Sequence, residues 1–326
     1  MHVHPMWNTY PDLQQDLLEV VRLIDKSIHI RNKRIEKIIS EQIHSGGKLL
    51  RPAYALLSSK IGKETNKERA IAVAAALECL HMATLVHDDV IDEAETRHNI
   101  PAIHTEYGNK FAIYAGDYLF CLCFQILAKH ASSVSNLEFN TRGMEKILTG
   151  ELDQLHSRYE RPESVKNYLS RISGKTAQLF AISCYAGAVE SNANRKLTMI
   201  AWNMGHYIGM AFQIMDDVLD YKGDSQKVGK PVLSDFRQGI YTLPLIYALR
   251  ENPVVFEPLL EKRDDLTEED IDNLLNLINK YDGVKKAEKL AERYTKKAIK
   301  EIGKLPEGQY KETLLALTNF LLERKM

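Results

Sequence analysis

Two short clusters of aspartates are the residues of this chain best suited to chemistry. Asp88, Asp89 and Asp92 end a stretch that is almost wholly apolar from residue 71 to residue 91. At 3.6 residues per helical turn, Asp88 and Asp92 lie on one face with Asp89 beside them. Negative charge near the C-terminal end of a helix opposes its dipole, and like charges four apart repel, each by roughly a few tenths of a kcal/mol. A sequence that keeps this arrangement indicates a bound cation, and carboxylate oxygens suit Mg²⁺ shared with substrate phosphates.

The same motif occurs a second time, far along the chain. Asp216, Asp217 and Asp220 stand in Gln-Ile-Met-Asp-Asp-Val-Leu-Asp-Tyr, again at the end of a long apolar run. A lone Asp-Asp-x-x-Asp is as consistent with a solvated helix end as with a metal site. Two copies reading Asp-Asp-Val-(Ile/Leu)-Asp are hard to attribute to composition. Facing each other, they could hold several divalent ions around one diphosphate.

Composition and charge exclude several broad classes of protein. The 326 residues carry a formal net charge of −1, so no general affinity for nucleic acid or for an anionic membrane is expected. The four cysteines lie in apolar helical patterns without zinc-type spacing, which favours free thiols in a reducing cytoplasm. The start, Met-His-Val-His-Pro, lacks a basic region followed by an apolar core, so no signal peptide is expected. Residues 71–91 could span a membrane by length, but Glu78, His81 and His87 favour a buried core helix.

Helical periodicity runs through nearly the whole chain. Apolar residues recur at helical spacing, glycine and proline are sparse, and no convincing run of alternating strand residues is present. The later segments expected to be helical are 137–158, 163–189, 193–222, 239–250, 267–280, 283–303 and 308–324. Because no linker composition or second periodicity is found, the prediction is an all-α protein, with residues 1–326 forming one large helical bundle around a central substrate cavity.

Further motifs stand in a fixed order around the two clusters, and this order resembles the all-trans polyprenyl diphosphate synthases. The resemblance covers about residues 40–250. The motifs that carry it are Gly46-Gly47-Lys48-Leu49-Leu50-Arg51-Pro52, Glu78-x-x-His81, Gly150-Glu151-Leu152-Asp153-Gln154, Lys175-Thr176-Ala177, Phe212-Gln213, Gly229-Lys230-Pro231 and Asp235. Within that family the sequence looks most similar to the catalytic subunits of bacterial hexaprenyl and heptaprenyl diphosphate synthases.

The resemblance implies a reaction and a role for each motif. The chain would be a Mg²⁺-dependent prenyltransferase that condenses isopentenyl diphosphate with an allylic prenyl diphosphate into a long all-trans product, hexaprenyl to octaprenyl. Six aspartates would hold Mg²⁺, as three ions with substrate bound. The implied catalytic residues are Asp88, Asp89, Asp92, Arg97, Lys175, Thr176, Gln213, Asp216, Asp217 and Lys230. Asp220 completes the implied metal ligands. The residues implied to bind isopentenyl diphosphate are Lys48, Arg51, His81 and His98.

Small residues before the first cluster imply a long product. Ala83 and Thr84 lie five and four residues before Asp88, about one turn up the helix and roughly 6–7 Å from the diphosphate site. In the family, aromatic residues at these positions stop elongation early. Phe120 and Phe124 on the next helix are the other residues expected to meet the growing chain, although core packing is the ordinary role of such an aromatic stripe.

Three positions depart from the family pattern. Leu49 and Ile240 stand where arginine and lysine are usual, and His98-Asn99 stand where Arg-Gly usually follows Arg97. Histidine has an ordinary pKa of about 6.5 and lacks the rigid fork of a guanidinium, so its charge at neutral pH is not assured. We therefore expect weaker binding of isopentenyl diphosphate, or help from a partner chain. A cytoplasmic homodimer is expected, with a small accessory subunit left open.

Other functions explain less of the sequence. Glu41-x-x-His44 and Glu78-x-x-His81 resemble the motifs of di-iron helical bundles, but that function leaves both aspartate clusters without a role. A terpene cyclase would share the first cluster and usually carries an Asn/Asp–Ser/Thr–Glu pattern in place of the second. A non-catalytic subunit would be expected to lose aspartates, and all six are present. A geranylgeranyl diphosphate synthase, and a subunit active only with a partner chain, stay open as alternatives.

Overall fold

The structure is a computed structural model whose regular structure is almost entirely helical. It describes residues 3–44, 47–64, 66–97, 100–130, 134–161, 164–222 and 233–322, without the side chains of residues 134–142 and 264. Within these ranges the strands are β1 (Thr96–Arg97) and β2 (Ile100–Pro101), which pair antiparallel. The all-α fold class expected from helical periodicity is confirmed.

The chain divides into two compact units, and the first takes in Met1–Thr141, Ile182–Trp202 and Leu305–Leu314. It begins with a 3-10 helix, Pro5–Thr9, and Pro11 then occupies the first turn of α1, where its missing N–H is not needed. Its helices up to residue 130 are α1 (Pro11–Ser27), α2 (Lys33–His44), α3 (Leu50–Ser58), α4 (Lys67–Ile91), α5 (Ile103–Tyr107) and α6 (Asn109–His130).

Helix α4 is the central element of the first unit, because it is apolar on nearly every side. It packs chiefly against α6, α3 and α1. The Asn66 side chain begins the helix by accepting a hydrogen bond from the backbone N–H of Arg69. By length and composition alone, α4 and α6 are apolar enough to cross a membrane, a test that core helices also pass. The most apolar window of α4 is 78% buried, which agrees with the predicted buried core helix.

The second unit takes in Arg142–Ala181, Asn203–Lys304 and Leu315–Met326. The helices from residue 134 onward are α7 (Val134–His156), α8 (Val165–Ile172), a π-helical turn (Ser173–Ala177), α9 (Gln178–Glu190), α10 (Arg195–Lys222), α11 (Ser234–Arg237), α12 (Leu243–Glu251), α13 (Glu257–Leu260), α14 (Glu268–Lys280), α15 (Gly283–Gly303) and α16 (Gln309–Leu322). Short 3-10 helices at Pro253–Val255 and Arg263–Asp265 lie before and after α13.

Most expected helices appear close to their predicted bounds. The segments 193–222, 267–280 and 283–303 correspond to α10, α14 and α15 within two residues at each end. The expected helix 163–189 is found as α8 and α9, joined by the π-helical turn that carries Lys175 and Thr176. The assignment of residues 1–326 to one domain around a central cavity stays a prediction.

Candidate active site

The first aspartate cluster ends α4, and its three carboxylates have different surroundings. Asp89 is only 3% exposed, and Arg97 on β1 donates its Nε–H to Asp89 Oδ1 over 2.9 Å, with an Nη2–H on the same oxygen. Asp88 and Asp92 are half-buried, and the backbone N–H of Asp92 donates to the carbonyl of Asp88. Charge-assisted bonds of this kind are the usual way to satisfy a buried carboxylate. Asp89 therefore fixes Arg97 beside the two more accessible aspartates.

His87 ties the end of α4 to α6. Its Nε2 lies 3.1 Å from the carbonyl oxygen of Ile113 and 3.4 Å from a carboxylate oxygen of Asp117. A Cβ at Gly116 would stand only 2.4 Å from the same Nε2, so the close approach requires glycine there. The Phe120 ring packs against the imidazole with centroids 5.6 Å apart. These contacts hold the end of α4, next to the first cluster, against α6.

Two of the residues predicted to bind isopentenyl diphosphate are in direct contact. Arg51 Nη1 lies 3.0 Å from His81 Nε2, joining α3 to α4. Lys48 is exposed, and its carbonyl oxygen accepts a hydrogen bond from the indole N–H of Trp7 over 2.9 Å. Trp7 is fully buried, so the N-terminal 3-10 helix anchors the backbone at Lys48. His98, the fourth residue of this set, lies outside the described residues.

Glu78 is a buried acid one turn before His81 on α4. Its side chain is 4% exposed, and burial raises its pKa to about 7, although the positive charge of Arg51 acts in the opposite direction. Burial likewise lowers the pKa of Arg51 to about 10 while Glu78 raises it. Glu78 Oε1 lies 3.8 Å from the place of a Cβ at Gly47. The carboxyl group therefore lies against both the guanidinium and the segment that leads to Lys48.

Two departures from the family pattern are buried apolar side chains. Leu49 is 7% exposed and adopts the left-handed conformation, with φ of 50°, at the start of α3. Ile240 is 8% exposed and follows Gly239, whose φ is +72°. The backbone N–H of Ile240 donates to the carbonyl of Asp235. A lysine or arginine would need a partner or water at such buried positions, so the apolar residues match the packing.

The second aspartate cluster, near the end of α10, opens a chain of three hydrogen bonds. Tyr168 on α8 donates its hydroxyl hydrogen to Asp217 Oδ2 over 2.5 Å, and Gln213 Nε2 donates to Asp217 Oδ1 over 2.8 Å. Thr176 donates its hydroxyl hydrogen to Gln213 Oε1 over 2.7 Å. Asp216 is exposed, whereas Asp217 is 3% exposed. The structure thus brings together the predicted site residues Thr176, Gln213 and Asp217, with Tyr168 as an unpredicted fourth member.

Burial dominates the electrostatics of Asp217. It raises the pKa of this carboxyl to about 8, helped by the negative charges of Asp235 and Asp216 and opposed by the hydrogen bonds from Tyr168 and Gln213. Asp220, one turn on, accepts the backbone N–H groups of Ser234 and Asp235 at 3.0 and 3.3 Å. This carboxylate therefore fixes the first turn of α11. Lys230 itself lies outside the described residues.

The π-helical turn Ser173–Ala177 presents Lys175 and Thr176. Lys175 Nζ forms an ion pair of 2.7 Å with Glu151 on α7. A Cβ at Gly150 would lie 3.0 Å from the backbone nitrogen of Lys175 and 3.3 Å from the carbonyl carbon of Gly174, so glycine permits α7 to approach the turn closely. Single π-helical turns occur frequently at functional sites, because the extra residue re-aims the neighbouring side chains.

The predicted chain-length residues are spread over α4 and α6. Ala83 is fully buried, whereas Thr84 is half-buried and donates its hydroxyl hydrogen to the carbonyl of His81. Phe120 is half-buried against His87, and Phe124 is 39% exposed. Contact of these four residues with a growing chain stays a prediction.

The sequence motifs missed the residues that hold the others in place. Tyr168 lies eight residues before Thr176, about two helical turns, and that spacing is the one signal that links them. Glu78 and Glu151 belong to the sequence motifs, but the motifs assign no role to either residue. Among the described residues, no three His, Cys, Asp or Glu side chains form a group that could hold a metal ion by themselves.

Comparison with known proteins gives a consistent family. The family model described as "Polyprenyl synthetase" matches residues 32–278. Heptaprenyl diphosphate synthase component 2 of Bacillus subtilis is 32% identical over 317 residues, which cover 97% of this chain and 90% of that protein. A geranylgeranyl pyrophosphate synthase structure from Lactobacillus brevis has a TM-score of 0.93 at 39% identity, covering 98% of this chain and 99% of that one. The structure of heptaprenyl diphosphate synthase from Staphylococcus aureus has a TM-score of 0.91 at 34% identity, covering 96% of this chain and 99% of that one.

Proposed function

This chain belongs to the polyprenyl synthetase family and is a prenyltransferase, and we propose that it condenses isopentenyl diphosphate with an allylic prenyl diphosphate to give an all-trans polyprenyl diphosphate. The observation that carries the proposal is common to both aspartate clusters. In each, one buried aspartate is held by protein donors, Asp89 by Arg97 and Asp217 by Tyr168 and Gln213. The neighbouring aspartates are half-buried or exposed at the end of a long helix.

Mg²⁺ fits the donor set of the two clusters. Asp88, Asp92, Asp216 and Asp220 offer hard carboxylate oxygens, the ligands that Mg²⁺ prefers together with phosphate. Asp89 and Asp217 keep unused lone pairs beside their hydrogen bonds, so the proposal retains all six aspartates, with three ions when substrate is bound. Bound Mg²⁺ would neutralise the charge of the departing diphosphate.

The cationic side chains would position the two substrates. Arg97, Lys175 and Lys230 are assigned to the allylic diphosphate, and their partners Asp89 and Glu151 hold the first two in place. The set assigned to isopentenyl diphosphate is Lys48, Arg51, His81 and His98. No protein nucleophile is required, since the released diphosphate can accept the proton lost in the reaction. Catalysis then consists of orientation and fixed charge in a site that excludes water.

The proposed product is a long chain, from hexaprenyl to octaprenyl. The small side chains of Ala83 and Thr84 support it, because neither fills the space before the first cluster with an aromatic ring. The relatives make different products: the Bacillus subtilis protein is named for a heptaprenyl product and the Lactobacillus brevis protein for a geranylgeranyl one. Geranylgeranyl diphosphate is therefore the alternative product.

A cytoplasmic homodimer is the proposed assembly. On α6, the exposed apolar residues Ile113, Tyr114 and Phe124 support it, with Tyr114 75% exposed. On α7, Leu148, Leu152 and Leu155 are also exposed, at spacings that place them along one side of the helix. The alternative is a small accessory subunit, because the Bacillus subtilis relative is named as a component of its synthase.

Incubating the pure protein with Mg²⁺, isopentenyl diphosphate and farnesyl diphosphate, and sizing the products, tests the proposed function. We expect polyprenyl diphosphates longer than geranylgeranyl, and no product after chelation of Mg²⁺. An inactive protein that gains activity when a partner chain is added would support the accessory-subunit alternative. Absence of condensation with every primer and with every candidate partner would overturn the proposal.

A further inference from the structure

The N-terminal 3-10 helix, Pro5–Thr9, is joined to the backbone just before α3 by one side chain. Trp7 donates its indole N–H to the carbonyl oxygen of Lys48 over 2.9 Å, although the two residues are 41 positions apart in the chain. Trp7 is fully buried, and an indole N–H in such a place needs an acceptor, which Lys48 supplies. Because indole has a single N–H, this hydrogen bond ties Trp7 to this one carbonyl group.

The carbonyl that Trp7 binds belongs to the peptide group from which α3 starts. This peptide joins Lys48 to Leu49, and Leu49 adopts the left-handed conformation with φ of 50°. A residue with a Cβ is strained in this conformation and keeps it only where surrounding contacts hold it. The carbonyl of Leu49 accepts the backbone N–H of Ala53, which is the first hydrogen bond of α3. The hydrogen bond from Trp7 is therefore one of the contacts that fix the start of this helix.

Two residues assigned to isopentenyl diphosphate lie on either side of this peptide. Lys48 precedes it and has an exposed side chain. Arg51 follows it in the first turn of α3 and places its Nη1 3.0 Å from His81 Nε2. A rotation of the peptide would move the side chain of Lys48 relative to that of Arg51. The relative placement of these two cations therefore depends on the peptide that Trp7 holds.

The short helix around Trp7 has hydrogen bonds at both ends. His4 Nδ1 accepts the backbone N–H of Met6, which requires that this nitrogen carries no proton. Burial lowers the pKa of His4, and the positive charge of Lys48 acts in the same direction. After the helix, the backbone N–H of Tyr10 donates to the carbonyl of Trp7 over 2.9 Å. Trp7 thus stands on a fixed backbone and can hold Lys48 in one place.

We propose that Trp7 is a positioning residue for isopentenyl diphosphate: its indole N–H fixes the Lys48–Leu49 peptide and thereby sets the relative placement of Lys48 and Arg51. The inference rests on the proposed function. Isopentenyl diphosphate keeps its diphosphate throughout the condensation, so contacts with this group are about equally strong in the bound substrate and in the transition state. Loss of such contacts raises KM and leaves kcat nearly unchanged.

Trp7→Phe removes the indole N–H and keeps an aromatic ring in the core. We expect the KM for isopentenyl diphosphate to rise about fivefold, as for the loss of one ordinary hydrogen bond, while kcat and the KM for the allylic diphosphate change less than about twofold. Steady-state kinetics with each substrate varied in turn gives these three constants. A large fall in kcat, or an equal rise in both KM values, would indicate a general loss of structure and would overturn the inference.

A second variant replaces the indole of Trp7 by benzothiophene, whose sulfur keeps the shape of the ring system but carries no hydrogen. It should reproduce the rise in KM even if Trp7→Phe does not fold. The same replacement at Trp202, the other tryptophan of the chain, is the matched control. The Trp202 ring packs edge-on against Tyr185 on α9 with centroids 6.1 Å apart, and its replacement should leave the KM for isopentenyl diphosphate unchanged.

A double-mutant cycle with Lys48→Met tests whether Trp7 acts through the Lys48 side chain. Methionine keeps the backbone carbonyl that Trp7 binds and removes the positive charge. If Trp7 positions that charge, Trp7→Phe should raise the KM for isopentenyl diphosphate by a smaller factor in Lys48→Met than in the wild type. Equal factors in the two backgrounds would overturn the inference.

Two outcomes separate this inference from the proposed function. A wild-type protein that condenses the substrates, alone or with a partner chain, combined with an unchanged KM for isopentenyl diphosphate in both Trp7 variants, would overturn the inference alone. A wild-type protein that makes no prenyl product with any primer or partner would overturn the proposed function and the inference together.

Discussion

Replacing Glu78 by glutamine removes a buried negative charge while keeping the shape of the side chain. Glu78 is 4% exposed, and among the described residues its Oε2 has no hydrogen-bond partner. Burial raises its pKa from 4.5 to about 7 even though Arg51 pulls it down. The folded protein therefore holds the Glu78 proton more tightly than the unfolded chain does, and ionising this group costs stability.

The sign and size of the effect follow from linkage. A raised pKa contributes stability that is fully present below about pH 4.5 and is lost as the pH rises through about 7. At 1.36 kcal/mol per pKa unit, the loss is about 3 kcal/mol above pH 7, and at pH 5.5 it is only about 1 kcal/mol. Glutamine stays neutral, so Glu78→Gln should exceed the wild type in stability by about these amounts. For 326 residues at roughly 2.1 cal/mol/K each, 3 kcal/mol corresponds to a rise in Tm of about 4 °C.

Thermal and denaturant unfolding of both proteins at pH 5.5 and pH 8 provide the assay. Glu301→Gln on α15 is the control, because Glu301 is equally buried at 7% but its carboxylate is paired with Lys304 at 2.6 Å. The control should be no more stable than the wild type, because it loses the ion pair with Lys304. A stability difference for Glu78→Gln that stays the same between the two pH values, or a variant less stable than wild type at pH 8, would refute the reasoning about Glu78.

The remaining predictions concern product length, substrate binding and packing. Ala83→Phe should shorten the product to about farnesyl length by product sizing, because the ring would stand about one turn from the diphosphate site, and an unchanged product would place the growing chain elsewhere. His98→Arg should lower the KM for isopentenyl diphosphate and flatten its dependence between about pH 6 and 8, whereas a raised KM in an active protein would show a specific contact by His98. Gly116→Ala should lower stability by about 1–3 kcal/mol, because its Cβ would meet His87 Nε2 at 2.4 Å, while Gly303→Ala, with no atom within 4 Å of its Cβ, should cost nothing.

Helices could be predicted from sequence because their periodicity extends over several turns. Helix α15, with its bounds at Gly283–Gly303, was predicted to the residue. The antiparallel pair of β1 and β2 was missed, because strands of two residues give no period to detect. The π-helical turn Ser173–Ala177 was missed for a different reason: its residues fit an α-helical pattern equally well, and its close contact with Gly150 on α7 has no local signal in the sequence.

Site residues could be named from motifs, but their partners could not. The ordered motifs predicted Asp217, Gln213 and Thr176, and the structure joins them through hydrogen bonds of 2.7 and 2.8 Å. Tyr168 escaped notice because its role depends on a contact between α8 and α10, which no local pattern encodes. In the same way, Leu49 was seen as a missing cation, whereas the structure buries it in a left-handed turn at the start of α3.

The most direct test of the central claim is a double-mutant cycle on the two aspartate clusters. The claim is that Asp88 and Asp216 serve one Mg²⁺-dependent condensation. Asp88→Ala and Asp216→Ala should each abolish most turnover of isopentenyl diphosphate while circular dichroism stays that of a helical protein, and the double variant should be little worse than either single one, because residues that act as a unit are not additive. Near-normal Mg²⁺-dependent activity in Asp216→Ala would contradict the account.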